Sequence, residues 1–389
     1  MTNNKGYKFT EILWKYFTLN ELDLNQAYDA IKDMHFKDFR RYYIMAKYNY
    51  NQKHLKFAYQ DISKAIECSK KNIKKEWIVK DKNSLPFFAE NCLSIFTRKG
   101  IPIDNPPKTL LYELAGEICS NLFSKYKEYK YYEESIEYYK IFQYHLSNGI
   151  KSQYDENKDK VVVYSFRKYN KYVLSDLINK QLTLCRPKMM NDPFDTIVMI
   201  WSEPERMAQT CKDKPHIIPY SKAFEYYRIR SFSIGENNDE DSPLKKILMW
   251  SHYADSHKGF CIKYEFKGKF LKNCDEKKLI NIILKKSDYG DTPIKLNTKD
   301  IDLDLAFFRK YGIWENEYEV RLLSYNPTLD SDTESVPLDN DAQIKDIYFG
   351  LKFNEENIST IKNILGDTVK YHKMKINENN IYNLEIDDL

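Results

Sequence analysis

The run Lys160-Val-Val-Val-Tyr-Ser-Phe166 marks the point at which the chain stops reading as helices and begins to read as strands. Three consecutive β-branched residues, followed by an aromatic pair spaced by Ser, fit a pleated and buried segment far better than a helix turn. A helix is predicted after it, from about Tyr172 to Lys180, then a short strand over Leu182 to Cys185. A further helix is expected around Ser221 to Tyr227, leading into the strand-like Arg228-Ile-Arg-Ser-Phe-Ser-Ile234. Gly259 to Phe266 alternates apolar and polar residues, and Tyr318 to Tyr325 and Ile347 to Phe349 also read as strands. Many short strands with a few helices, in no regular βαβ order, predict an α+β domain.

On the N-terminal side the pattern is helical. Asp38 to Asn51 and Lys53 to Lys71 form an amphipathic pair, with Ala58, Ile62, Ala65 and Ile66 on one face of the second segment. Leu110 to Tyr126 and Tyr131 to Leu146 repeat the layout, with the small residues Ala115 and Gly116 in one helix and Ser135, Tyr139 and Phe142 in the other. Ile101-Pro-Ile-Asp-Asn-Pro-Pro107 is expected to break the helices between the two pairs. Ser147 to Lys160, polar and containing Asn148-Gly149, reads as a linker. The division expected is therefore an all-α domain over 1–149, a linker over 150–160 and an α+β domain over 161–389.

Composition narrows the class. A chain of 389 residues with 42% hydrophobic and 30% charged residues is an ordinary folded protein rather than a disordered one. A net charge of +4 is too small at this length to announce a nucleic-acid partner. The seven cysteines are dispersed with no CxxC pair, which suits reduced thiols in a cytoplasmic protein and excludes the usual zinc spacings. No apolar run approaches the length of a membrane span, so no membrane association is expected.

Two stretches carry most of the chemistry. Trp250-Ser-His-Tyr-Ala-Asp-Ser-His-Lys-Gly259 gathers His252, Tyr253 and His257 beside an indole. Trp250 and Tyr253, three apart, share a face if the segment is helical. His252 and His257 lack helical ligand spacing, so no metal is expected there. Trp314-Glu-Asn-Glu-Tyr-Glu-Val-Arg321 sets Glu317, Glu319 and Arg321 at alternate positions, which a strand would aim to one face. Paired carboxylates raise the prospect of a perturbed pKa, and Arg321 leaves open a structural ion-pair ladder. Arg167 ends the first strand of the domain, where it is either a solvated strand end or an anion clamp. Ser231 and Ser233 place two hydroxyls on one strand face, and Asn191-Asp-Pro-Phe-Asp195 carries turn chemistry.

These motifs, in this order together with Lys310 and Ile347-Tyr-Phe-Gly350, resemble the bacterial domain-of-unknown-function 2971 family over roughly Val161 to Phe353. The paired N-terminal helices resemble tetratricopeptide-like repeats. An Arg closing a first strand, a Ser-x-Ser strand and a late Glu-x-Glu also resemble the layout of ADP-ribosyltransferases. That resemblance implies NAD as substrate, with Arg167, Ser231, Ser233, Tyr253 and His252 binding it. It also implies catalysis by Glu319 or Glu317, with Glu319 preferred. It further implies a macromolecular acceptor, protein or nucleic acid, while the repeat-like helices would bind a protein partner or trigger. Such an architecture suits a toxin-like or phage-defence effector. The rival readings are a metal-dependent nuclease or hydrolase using Glu317, Glu319, Asp255 and His252, and a non-catalytic nucleotide- or protein-binding module.

Overall fold

The computed structural model describes Ile12, Tyr16 and residues 22–34, 37–70, 105–190, 225–235, 242–291 and 303–389, with the backbone alone at 105–108. The chain divides between Gly149 and Ile150 into a helical unit and a sheet unit, a mixed α and β architecture. The motif over 191–195 and positions 101–104 and 221–224 lie outside the described residues. No helix among those described is long and apolar enough to cross a membrane.

The helical unit contains α1 (Leu24–Ile31), α2 (Phe39–Asn51), α3 (Leu55–Lys70), α4 (Asn105–Tyr126) and α5 (Tyr129–Asn148). Asp23 and Asp38 cap α1 and α2 by accepting backbone N–H bonds, from Gln26 and Arg40. Ala58, Ile62, Ala65 and Ile66 are buried together, as their spacing predicts. The expected break at 101–107 is overturned at its end: α4 begins at Asn105, with Pro106 and Pro107 in its first turn, where a missing N–H costs no helix bond. The small residues serve close packing. A Cβ on Gly116 would lie 2.7 Å from the Tyr139 ring, and the Ser135 hydroxyl donates to the Gly116 carbonyl at 2.9 Å.

In the sheet unit the strands are β1 (Val161–Arg167), β2 (Gln181–Cys185), β3 (Tyr227–Ile234), β4 (Phe260–Phe266), β5 (Lys272–Asp275), β6 (Ile280–Lys286), β7 (Asp288–Tyr289), β8 (Arg309–Lys310), β9 (Glu319–Tyr325), β10 (Thr333–Pro337), β11 (Ala342–Phe349), β12 (Lys370–Ile376) and β13 (Leu384–Asp388). The helices are α6 (Lys171–Ile178), α7 (Ile247–Tyr253), α8 (Leu303–Phe308) and α9 (Glu356–Leu365). The main sheet runs β13-β12-β11-β4-β1-β3-β9-β6-β5, with β10 and β2 attached through β3, while β7 and β8 form a separate parallel pair. Only β11 and β12 are parallel within the main sheet among the described strands. Tyr227, expected to end a helix, instead opens β3, where it pairs with Tyr325.

Strand alternation gives the sheet two apolar faces, so neither is left to water. On one, Val163, Phe232, Phe260, Ile262, Tyr264, Val320 and Leu322 pack beneath Val173 and Leu177 of α6 and Ile361 of α9. On the other, Tyr164, Phe166 and Cys261 pack beneath Met249 and Trp250 of α7. Trp250 is fully buried, its Nε1 donating to the Leu244 carbonyl at 2.8 Å and its ring meeting Phe166 edge to face. Burying side chains of that size stabilises the unit by about 1.5–3 kcal/mol each. Beyond α7 the chain turns back through Asp255, Ser256 and His257, all left-handed (φ 50°, 54° and 69°). Gly259 closes this turn: a Cβ there would sit 2.1 Å from the Arg167 carbonyl oxygen.

Candidate functional site

Five charged or phenolic side chains from four separate segments converge on the α7 face of β3 and β9. Antiparallel pairing sets Ser231 opposite Arg321 and Ser233 opposite Glu319, so all four share that face. Arg321 is wholly buried. Its Nε donates to Glu319 Oε1 at 2.9 Å, its Nη2 to Oε2 at 3.0 Å and its Nη1 to the Phe307 carbonyl at 2.7 Å. Lys310, from β8, bridges the carboxylates, with Nζ 2.6 Å from Glu317 Oε2 and 2.9 Å from Glu319 Oε2. The Tyr253 hydroxyl, at the end of α7, donates to Glu317 Oε1 at 2.6 Å.

Glu317 reaches the cluster by a route that alternation does not describe. It ends a 3-10 helix, Gly312–Glu317, and Tyr318 then turns through a left-handed conformation (φ 47°, ψ 50°) before β9 starts at Glu319. The expectation that Glu317, Glu319 and Arg321 alternate along one strand is therefore corrected. Only Glu319 and Arg321 do, and Glu317 is drawn in by Lys310 and Tyr253. The Lys246 ammonium, 3.5 Å from the centroid of the Tyr318 ring, steadies that turn and donates to the Asn316 carbonyl at 3.2 Å.

The electrostatics separate the two glutamates. Burial pushes the Glu319 carboxyl up, but the Arg321 and Lys310 charges and the adjoining Ser231 hydroxyl more than offset this and hold it at about 2. Glu319 is thus ionised at neutral pH, with both oxygens committed to cations. Glu317 is 9% exposed against 4% for Glu319 and stands at the rim of the network. Two carboxylates and two cations leave the cluster with no net charge, the condition under which buried ions are tolerated. The Glu319 N–H donates to the Tyr289 hydroxyl at 2.8 Å, tying the strand to β7.

Of the other expected residues, His252 is exposed, its ring edge-on to Trp314 at 6.5 Å and 6.3 Å from the Tyr253 ring. His257 lies parallel to Trp250 with its Nε2 3.4 Å from Ser251 Oγ, and burial lowers its pKa. Arg167 does not join the cluster. Val163 pairs with Ile234 while Tyr164 pairs with Ser233, so β1 aims Val163, Ser165 and Arg167 at the face opposite Ser231, Ser233 and Glu319. Sequence reasoning missed Arg230, on that same opposite face. Its signal was legible in Arg228-Ile-Arg230-Ser, where period-two alternation sets the arginines against the serines. Among the described residues no three His, Cys, Asp or Glu side chains converge as metal ligands, and Asp255 is an exposed turn residue.

Residues 249–322 match the family described as protein of unknown function (DUF2971). The matched stretch begins on α7 and ends at Leu322, shorter than the span from Val161 to Phe353 expected from the motifs. It contains Tyr253, Lys310, Glu317, Glu319 and Arg321, and leaves Arg167, Ser231 and Ser233 outside. No curated protein and no solved structure matches the chain.

Proposed function

We propose that the sheet unit transfers an ADP-ribosyl group from NAD to a macromolecule, with Glu317 as the carboxylate that meets the reacting ribose. The observation that carries this reading is the placement of Glu317 between the Tyr253 hydroxyl and the Lys310 ammonium, each at 2.6 Å, at the rim of a buried charge network. NAD supplies a ribosyl carbon bonded to a positively charged nicotinamide. When that bond breaks, nicotinamide departs neutral with the electron pair, and positive charge develops on the ribose. A carboxylate fixed beside that carbon stabilises the charge without reorganising. The acceptor atom then bonds to the carbon and releases its proton to solvent.

The residues fit the ribose end. Tyr253 and Lys310 hold Glu317 in one orientation, and Tyr253 offers a flat ring to a heterocycle. Ser231 and Ser233 lie on the same face, and His252 stands exposed near Tyr253 and Trp314. Glu319 becomes a positioning residue: it fixes Lys310, and through Lys310, Glu317. Arg167, expected to bind NAD, is not at this face, so that role is dropped from the reading. The helical unit, with small residues packed between paired helices, would present a repeat-like surface to a partner or trigger. An effector of toxin or phage-defence type is the setting this suits.

Incubation of the full chain with labelled NAD and a cell lysate tests the proposal. Label should reach protein, RNA or DNA with release of nicotinamide, and Glu317→Gln should lower that release about 100-fold or more. Nicotinamide release at the wild-type rate from the Glu317→Gln/Glu319→Gln double variant overturns it. The full charge compensation of the cluster favours one second reading, a binding module without chemistry. Ligand binding that survives Glu317→Gln, with no turnover in either protein, would select that reading.

A further inference from the structure

The sheet divides along one edge of β3. With β9 occupying the other edge, β1 pairs with β3 only at Val163↔Ile234 and Tyr164↔Ser233, and β2 takes the same edge at Cys185↔Ile229. Between those pairings β1 and β2 part, and two arginines stand at the parting. Arg230, 8% exposed, donates from Nη1 to the Thr183 carbonyl at 3.0 Å and from Nη2 to Ser165 Oγ at 3.2 Å, which leaves its Nε buried without a partner. Arg167, the last residue of β1, has a buried Nε without a partner and forms no ion pair among the described residues. Burial first, and the Arg230 charge second, pull its pKa down to about 10.

Of the other groups that act on Arg167, Asp176 alone offers an opposing charge, and it pairs with neither guanidinium. Tyr264 and Cys185 both have pKa values raised by burial, so both are neutral at physiological pH. Asp176, on α6, accepts from Thr183 Oγ1 at 2.6 Å and from Gln181 Nε2 at 3.3 Å, and forms an ion pair with neither guanidinium. Two guanidiniums acting on each other, Arg230 buried and Arg167 partly buried, with no carboxylate paired to either among the described residues, destabilise the fold as it stands. Neither repulsion nor desolvation is needed to close a sheet edge, since Met or Leu would fill the space. The arrangement makes physical sense when an anion completes it: each guanidinium keeps an Nε–H that nothing among the described residues accepts, and charged N–H donors match the oxygens of a phosphate.

We propose that the parting of β1 and β2 is a binding site for a phosphate-bearing small molecule, with Arg167 and Arg230 as its two-guanidinium clamp. The site lies on the sheet face opposite Glu317 and Glu319 and does not rest on the transferase reading.

The test uses the full chain in phosphate-free buffer, titrated calorimetrically with inorganic phosphate, pyrophosphate and ADP. At least one probe should bind, more weakly at high salt, and Arg167→Met and Arg230→Met should each weaken binding tenfold or more. Binding of ADP without inorganic phosphate identifies a nucleotide site, and equal binding of all three identifies a site for free phosphate. In the absence of any probe, Arg167→Met should melt no lower than wild type, because it removes a charge without an ion-pair partner among the described residues. The proposal is overturned if no probe binds, if both methionine variants bind as wild type does, or if Arg167→Met melts lower in phosphate-free buffer.

Discussion

Glu319→Gln removes one negative charge from a cluster that has none to spare, and its cost follows from the geometry. In the native chain, Glu319 meets Arg321 at 2.9 and 3.0 Å and Lys310 at 2.9 Å, with Arg321 fully buried. The substitution leaves Arg321 and Lys310 facing the single carboxylate of Glu317, so the site passes from neutral to a net positive charge. Two independent routes give the magnitude. Breaking a buried ion pair by removing one partner costs about 3–5 kcal/mol. The drop of the Glu319 carboxyl from 4.5 to about 2 corresponds to about 3 kcal/mol of native-state stabilisation. Differential scanning calorimetry of the full chain should show one transition lowered by about 6–20 °C, taking about 3–5 kcal/mol and about 2–4 °C per kcal/mol for a unit of this size. The pH dependence has a fixed sign. Because the folded pKa is depressed, the stabilisation is fully present above pH 4.5 and is lost as pH falls toward about 2. Wild type and variant should therefore converge in acid. A variant that melts within about 1 °C of wild type at neutral pH would refute the claim that Glu319 holds the cluster together. Loss of nicotinamide release in this variant would also say little about catalysis unless stability were measured beside it.

Two further outcomes bear on the frame around the site. Gly259→Ala should lower stability by about 3 kcal/mol or more, because its Cβ would meet two backbone oxygens, Arg167 O at 2.1 Å and Ala254 O at 2.9 Å; a melting temperature equal to wild type would refute this. His372 contacts Asp346 at 3.0 Å and Asp388 at 2.6 Å, and the Asp346 bond chiefly raises its pKa. Its contribution is therefore fully present below pH 6.5 and lost as pH rises through the raised value, so melting temperature should fall over that window in wild type and stay flatter in His372→Gln.

The strands were legible where one local signal dominated. The β-branched run of β1, the alternation of β4 and the apolar core of β9 all announce a pleated surface, and each forms close to its expected bounds. What the chain does not print is long-range pairing. That β3 pairs with β9 from Tyr227 to Ser233, and with β1 over only two residues, sets which residues share a face. Arg167 and Ser231 each read as site residues, but the parity that separates them appears only once Tyr164 is known to pair with Ser233. The pairing of Glu319 with Arg321 was legible because both lie on one strand. Glu317 was placed wrongly on that strand because Tyr318 adopts a left-handed turn that no glycine or asparagine signals. Lys310 could be named as a neighbour in sequence but not as the bridge, since its reach depends on β8 pairing with β7.

The two charged sites share β3, and adjacent residues of that strand, Arg230 and Ser231, face opposite ways into them. Their energetics differ in sign, which gives a criterion that neither composition nor burial supplies. At the Glu317–Lys310–Glu319–Arg321 cluster every ion has a counterion, so deleting either a carboxylate or a cation leaves a buried charge exposed to nothing, and stability falls. At the Arg167–Arg230 pair neither guanidinium has an ion-pair partner among the described residues, and Arg230 but not Arg167 is held by hydrogen bonds to Thr183 and Ser165, so deleting the Arg167 guanidinium relieves the fold in the absence of ligand. A buried ion whose removal destabilises is part of the scaffold, whatever else it does. A buried ion whose removal leaves the empty protein no worse off is held there against its own cost, and the compensating free energy must come from something the protein binds. Melting temperatures of three single variants, Glu317→Gln, Glu319→Gln and Arg167→Met, measured with and without phosphate, therefore sort these residues into scaffold and ligand site without any assumption about the reaction.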